Sequence, residues 1–441
     1  MMIAPSHSRT HPVGQGLWTL GVLGALAITA CAPAAQATPR TAPSPTATAG
    51  ASPSGTGRSA PSTATAPATP TGSNAPITAA GLSNLNAPSA VGSFVVGFDP
   101  ASRRLILQVE ALPSQGTAQP TLTAATWAWS GKTWTRLSPG TEPAPESQGS
   151  MAVDPVSGEL MYMGGSAYTA TSDSQNPWIP EWDPNQGTWL WNGSTWARVA
   201  DNPEQGGEPA LAADQATGQL LASCPNIQGI ETPSGDPGDA SPPPTAPAWY
   251  SAGGFYTWTG SGWVATPSAA ADGNVESPET DVTLGAAIAY DPISKRLIQF
   301  GGNSQGNFSA TLGYDGTAWT TLISNDAFLT AGTAAEPQGG PASAATDESS
   351  GQIVMLAQNS SYQAYFPASG APTTWTWNGS TWIQLEVDEP PAAASPATGS
   401  GGQLVWDPAL NAVILVYADS SGTIQLWTWG GTSTGWAQVS S

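Results

Sequence analysis

Thr188-Trp189-Leu190-Trp191-Asn192-Gly193-Ser194-Thr195-Trp196-Ala197-Arg198-Val199 decides the reading of this 441-residue chain, because the sequence repeats it. Close copies stand at 126–137 (TWAWSGKTWTRL) and 374–385 (TWTWNGSTWIQL). Weaker ones stand at 255–266 (FYTWTGSGWVAT), 311–322 (TLGYDGTAWTTL) and 426–439 (LWTWGGTSTGWAQV). Each is an alternating segment, a turn centred on glycine, and a second segment that opens on Trp. Alternation with period two around Asn-Gly or a similar pair predicts a β-hairpin, since Gly and Asn accept the positive φ of a tight turn. The spacing from the first position to the closing Trp is seven residues in Trp127/Trp134, Trp189/Trp196, Tyr256/Trp263, Leu312/Trp319 and Trp375/Trp382, and nine in Trp427/Trp436.

A second pattern precedes each copy: apolar alternation, an Asp, a turn of four residues, then apolar alternation again. Its Asp positions are Asp99, Asp154, Asp214, Asp291, Asp347 and Asp407, spaced by 55, 60, 77, 56 and 60 residues. Asp-Pro followed by Ser or Gly is turn chemistry, so this is a second hairpin. Two hairpins per repeat make four strands, and repeats of this kind build propeller blades. The expected fold is all-β: a six-bladed propeller over residues 90–441 with four antiparallel strands per blade. Its first strand begins near Val91 and its last ends near Val439, which leaves 75–90 as a segment able to latch an edge.

The chain begins differently. Residues 17–30 (LWTLGVLGALAITA) are an apolar run preceded by Arg9, too short for a lasting membrane span and suited to the core of a signal peptide over 1–30. The run ends in Ile28-Thr29-Ala30-Cys31, which resembles the lipobox of bacterial lipoproteins. That resemblance implies diacylglyceryl transfer to the Cys31 thiol, and a two-chain lipid gives lasting anchorage. Residues 31–78 are nearly all Ala, Pro, Ser, Thr and Gly, with Arg40 and Arg58 as the charges. Such a composition cannot bury enough apolar surface to fold, so it is expected to be a disordered stalk. The protein is thus expected outside the cytoplasm, held to the cell membrane by Cys31.

Charge and reactive groups narrow the chemistry. All 31 Asp and Glu follow the stalk, against seven Lys and Arg, a formal charge of −24 for the domain. An acidic surface of that size repels nucleic acid and anionic lipid. With Cys31 acylated, Cys224 stands alone at the end of a predicted strand, so no disulfide is expected. No histidine follows His11, which removes histidine-based catalysis and histidine metal sites from the domain. No cofactor and no metal site are expected.

An Asp turn, a strand ending in Gly-Gly, an aromatic residue and a Trp seven positions later together resemble the kelch repeat. The chain is similar in particular to bacterial kelch-like propellers with TWxWxGxxW hairpins, related in fold to the central domain of galactose oxidase. The double glycine is complete at Gly164-Gly165 and Gly301-Gly302 only. Copper oxidase activity is not implied, because its histidine ligands are missing.

Fifteen tryptophans lie in the hairpins. Because they recur blade after blade, they are expected to pack between blades. Function then falls to loops. In an antiparallel blade the first and third turns share one face, and here both are short. The other face receives the long loops, including 166–187, 225–254 and 359–373, and links rich in Asp and Glu, Glu142 and Glu389 among them. Trp178, Trp182, Trp249, Tyr250, Tyr362 and Tyr365 are the candidate ligand-binding residues there. A rigid scaffold with large loops on one face suits a glycan or protein partner. The alternatives are a carbohydrate-active enzyme, glycosidase or lyase, using loop carboxylates, and a structural part of the envelope. No nucleophile motif, phosphate loop or catalytic residue stands out.

Overall fold

The computed structural model describes residues 82–441 apart from 112–122, 145–148, 166, 171–177, 182–186, 204–208, 226–253, 268–284, 303–309, 325–336, 338–340, 359–370, 397–400 and 441. The described residues belong to the second of two units, Thr71–Ser441. The predicted signal peptide, Cys31 and the stalk lie outside them.

Six four-stranded antiparallel sheets follow one another along the chain. Blade one is β1 (Val91–Asp99), β2 (Arg104–Ala111), β3 (Thr123–Trp129) and β4 (Trp134–Arg136). Blade two is β5 (Ser150–Val153), β6 (Leu160–Met163), β9 (Gly187–Trp191) and β10 (Trp196–Asp201); its second connection carries a separate hairpin, β7 (Ala167–Ala170) and β8 (Trp178–Glu181). Blade three is β11 (Ala210–Asp214), β12 (Gln219–Cys224), β13 (Gly254–Trp258) and β14 (Trp263–Ala265). Blade four is β15 (Ala287–Asp291), β16 (Arg296–Phe300), β17 (Thr311–Tyr314) and β18 (Trp319–Ile323). Blade five is β19 (Ala342–Asp347), β20 (Gln352–Ala357), β21 (Thr373–Trp377) and β22 (Trp382–Gln384). Blade six is β23 (Gln403–Asp407), β24 (Ala412–Ala418), β25 (Ile424–Trp429) and β26 (Trp436–Gln438). The chain is a six-bladed propeller, as the repeat predicts.

Both turns are built the same way throughout. Each repeat Asp ends its first strand, or in Asp154 directly follows it, and is buried, with Asp99 1% exposed and Asp291 0%. Its carboxylate accepts from the backbone two residues on (Ala101 N to Asp99, 3.0 Å) and, in five of the six turns, from the hydroxyl three residues on (Ser102 Oγ, 2.6 Å). The residue four positions on, Arg103, Gly158, Gly218, Lys295, Gly351 or Asn411, takes positive φ and leads into the second strand. At the outer hairpin the tip glycine has φ of 87° to 95° in every blade, which is why that position is glycine.

Six apolar clusters account for the core among the described residues, one in each seam between consecutive blades. Leu105, Leu107 and Val109 face blade six, while Ile106 of the same strand faces blade two. A blade's third and fourth strands each contribute an aromatic ring to the preceding seam, and the two rings touch, as in Trp191–Trp196 with centroids 5.1 Å apart. Burying one indole removes roughly 150 to 250 Å² from water, on the order of 4 to 6 kcal/mol as an upper bound. The tryptophans are core.

An indole also has an N–H to satisfy, and the repeat supplies an acceptor. Trp196 Nε1 donates to Thr126 Oγ1 of the preceding blade at 3.0 Å. Trp263 donates to Thr188 at 2.8 Å, Trp382 to Thr311 at 3.0 Å and Trp436 to Thr374 at 2.9 Å. Blade three carries Phe255 where these blades carry Thr, so Trp319 stacks on that ring at 4.3 Å and its N–H has no partner.

The seam between blades six and one closes differently. Leu426 stands where the acceptor threonine would be, and the segment 82–91 fills the gap. Asn84 Oδ1 accepts from Trp134 Nε1 at 2.7 Å, and its amide nitrogen donates to the Ile424 carbonyl at 2.8 Å. Ser83 O accepts from Trp129 Nε1, Asn84 N donates to Ser440 O, and Trp134 N donates to Leu85 O. Leu82 joins the apolar cluster of that seam. No strand is exchanged between the ends; a clasp of ten residues bridges them.

Two expectations follow for stability. Trp382→Phe and Thr311→Val each cost about 1 to 2 kcal/mol, and the double variant costs less than the sum in a mutant cycle read from denaturant midpoints. Asn84→Leu strands two buried partners and lowers the melting temperature, with faster limited proteolysis near residues 82–91.

Candidate binding face and axial cavity

The first strands surround the axis. The residue three positions before each repeat Asp, namely Val96, Met151, Leu211, Ile288, Ala344 and Leu404, lines a cavity of about 180 Å³ where these strands begin. Its rim is Gly149, Pro209, Gly285, Pro341 and Gly402. Neighbouring first strands are tied around it: Leu211 N donates to Ser150 Oγ at 3.0 Å and Leu404 N to Ser343 Oγ at 2.9 Å. Gln403 closes the circle, accepting from Val96 N at 3.2 Å and donating to Phe94 O at 2.9 Å. At the other end of the axis Gln215 of blade three donates to Glu348 of blade five at 3.2 Å, a bond that skips blade four. The cavity thus opens toward the strand starts, the face that receives the long loops. Among the described residues nothing in its lining titrates.

The sequence-derived binding residues lie largely beyond what the structure describes. Trp182, Trp249, Tyr250, Tyr362 and Tyr365 fall outside the described residues. Trp178 opens β8 and pairs in backbone register with Ala170, so it sits on a hairpin rather than in an irregular loop.

The acidic links are corrected in part. Glu142 and Glu389 turn inward. Glu142 Oε1 accepts from Thr126 N at 3.1 Å, and Glu389 accepts from both the amide and the hydroxyl of Thr374, the amide at 2.7 Å. These threonines are the indole acceptors, so the carboxylates hold the seam. Burial raises the Glu389 pKa, against the lowering by its Thr374 bonds.

One group was passed over in the sequence. Glu110, near the end of β2 on the long-loop side, is 5% exposed and its Oε1 has no hydrogen-bond partner. Burial pushes its pKa up from 4.5 to about 7. The signal was available: Ile106, Gln108 and Glu110 alternate onto one face, where the pattern demands a core residue. Asp407 rises to about 6, chiefly through burial. Its turn has Leu410 where the other five have a Ser or Thr hydroxyl three residues on, so it accepts backbone N–H groups alone. Cys224 ends β12 and is buried. Among the described residues no three His, Cys, Asp or Glu are grouped to hold a metal ion, and no helix is long and apolar enough to cross a membrane.

Comparison with known proteins gives likenesses of structure alone. No family model matches the chain, and no curated protein matches it in sequence. Among solved structures, the chain is similar to a fucose-specific lectin from Aleuria aurantia, at 13% identity and TM-score 0.42, covering 80% of this chain and 97% of that one. It is also similar to the intramolecular trans-sialidase from Ruminococcus gnavus, at 10% identity and TM-score 0.42, covering 77% and 95%. Likenesses this distant carry nothing about ligands to this chain.

The Glu110 proton sets a pH dependence. A carboxyl whose folded pKa is raised contributes stability that is full below 4.5 and is lost as pH rises through about 7. Glu110→Gln removes that loss. Relative to the unaltered protein, the variant gains up to about 3 kcal/mol between pH 4.5 and 8, read from urea midpoints across that range.

Proposed function

We propose that the protein is a binding module tethered to the outer side of the cell membrane through lipidated Cys31, and that it takes a glycan through its long-loop face. The observation that carries the reading is the asymmetry of the two faces. On one, the connections are the compact Asp turns and the glycine hairpin tips. On the other, the axial cavity opens among the starts of the first strands, where every second-to-third-strand loop and every link between blades also emerges. Rigid scaffolds carry recognition on such loops. The aromatics there, Trp178, Trp182, Trp249, Tyr250, Tyr362 and Tyr365, have the flat apolar faces that sugar rings stack on. We read the repeat as kelch-type on its Asp turn and TWxWxGxxW hairpin. A protein partner on the same face is the other outcome of the test.

One observation favours the enzyme alternative. Glu110 is a carboxyl protonated near neutrality at the edge of the long-loop side, the state a general acid needs. It has no second carboxylate placed beside it by any described contact, so binding is the better-supported role.

A glycan array probed with the purified domain tests the reading. A saturable glycan signal that falls at least about tenfold in Trp178→Ala or Trp249→Ala supports it; a signal that neither substitution moves, or none at all, refutes it. Cys31→Ala is expected to shift the full chain from the membrane fraction to the soluble one in cell fractionation.

A further inference from the structure

The seam between blades five and six lacks a bond that others make. At the first and fourth seams, the Trp ending the third strand donates into the Asp turn of the preceding blade: Trp191 to Asp99 Oδ2 and Trp377 to Asp291 Oδ2, both at 3.2 Å. The hairpin tip then rests against that turn. A β-carbon on Gly193 or Gly379 would lie 4.0 or 3.9 Å from the same carboxylate oxygens. Trp429 and Asp347 hold these positions at the fifth seam, yet no hydrogen bond joins them. Trp258 over Asp154 lacks the bond too, but there the hairpin keeps its ordinary length.

The last hairpin is the long one, nine residues from Trp427 to Trp436 where the others have seven. Nothing lies within 4 Å of a β-carbon built on its tip glycine, Gly431, as is also the case at Gly260 of blade three. Beside it lies a cavity of about 230 Å³, walled among others by Asp347, Ser350, Gln352, Asn411, Trp429 and Thr432, with Ser349 and Ser433 also lining it. Trp429 is 4% exposed, and no hydrogen bond from its indole N–H joins it to another described residue, although that nitrogen is not among the fully buried atoms without a partner. Asp347 is equally buried, and its Oδ2 accepts from the Ser350 hydroxyl alone, at 2.8 Å. A donor and an acceptor that meet directly in two other seams here line one cavity.

We propose that this seam binds a single neutral sugar ring, at a site separate from the long-loop face. One ring hydroxyl accepts from the Trp429 N–H and donates to Asp347 Oδ2, restoring through the ligand the link that other seams make without one. The amides of Gln352 and Asn411 and the hydroxyls of Thr432 and Ser433 meet the remaining hydroxyls. The chemistry of the wall selects the ligand class. One carboxylate among neutral groups repels an anion. An apolar ligand would leave the Trp429 N–H facing it without an acceptor, which a hydroxyl supplies.

Indole nitrogen NMR on isotope-labelled tryptophan reads the site directly, with Trp429→Phe assigning the resonance. Glucose, galactose, mannose, fucose and N-acetylglucosamine are titrated singly. At least one should shift the Trp429 signal saturably. Deleting Thr432 and Ser433, which gives this hairpin the length found in blade five, should weaken that response about tenfold or more. Gln352→Leu should weaken it as well, and serves where the deletion fails to fold. No saturable shift with any of the five sugars, or a shift that both variants leave intact, overturns the proposal and leaves a water-filled slot only. Trp178→Ala and Trp249→Ala should not alter this titration, so failure here and failure of the long-loop reading are distinguishable.

Discussion

The hydrogen bond from an indole of one blade to a threonine of the blade before it is the contact on which the wheel depends. A four-stranded blade has two apolar faces and cannot bury either alone. Packing six around an axis buries both, but the large rings that fill the wedge-shaped seams bring a polar atom with them. Left without a partner, that N–H would cost about 1 to 3 kcal/mol in each seam. The threonine hydroxyl removes the cost and fixes the radial position of one blade against the next. Its own proton then needs an acceptor: Thr126 finds Gln108 Oε1, Thr188 finds Asn202 Oδ1, and Thr374 finds the Glu389 carboxylate.

Seams that depart from this pattern show what the contact can tolerate. With Phe255 in place of Thr, the third-to-fourth seam trades a hydrogen bond for stacked rings and leaves the Trp319 N–H without a partner. With Leu426 in place of Thr, the closing seam takes its acceptor from Asn84, a residue outside the repeats. The first solution accepts a polar cost in return for apolar contact. The second imports a side chain and also joins the two ends of the wheel.

The fold was legible because its signals are local and repeated. Gly at each tip, Asp at each inner turn and Trp at fixed spacing each answer to a backbone or packing demand within one hairpin, and six copies average out the weak ones. The candidate site was less legible for the opposite reason. Glu142 and Glu389 sit in links that read as exposed acid, and their bonds run to Thr126 and Thr374, 16 and 15 residues away. The role of Asn84 depends on residue 424, at the far end of the chain. Glu110 breaks the apolar alternation of β2, and a lone acid near a strand end carries by itself no local mark of burial. The hairpin of β7 and β8 has neither the Asp nor the Trp-Gly-Trp signature, so Trp178 read as loop.

The clasp has a mechanical meaning. Any tension on the chain ahead of residue 82 enters the wheel through Ser83, Asn84 and Leu85, at the single junction whose bridging acceptor comes from outside the repeats. A pull there would strip Asn84 from Trp134 and Ile424 before loading any other blade boundary. The ring would open at its own fastener, with the remaining five junctions still shut.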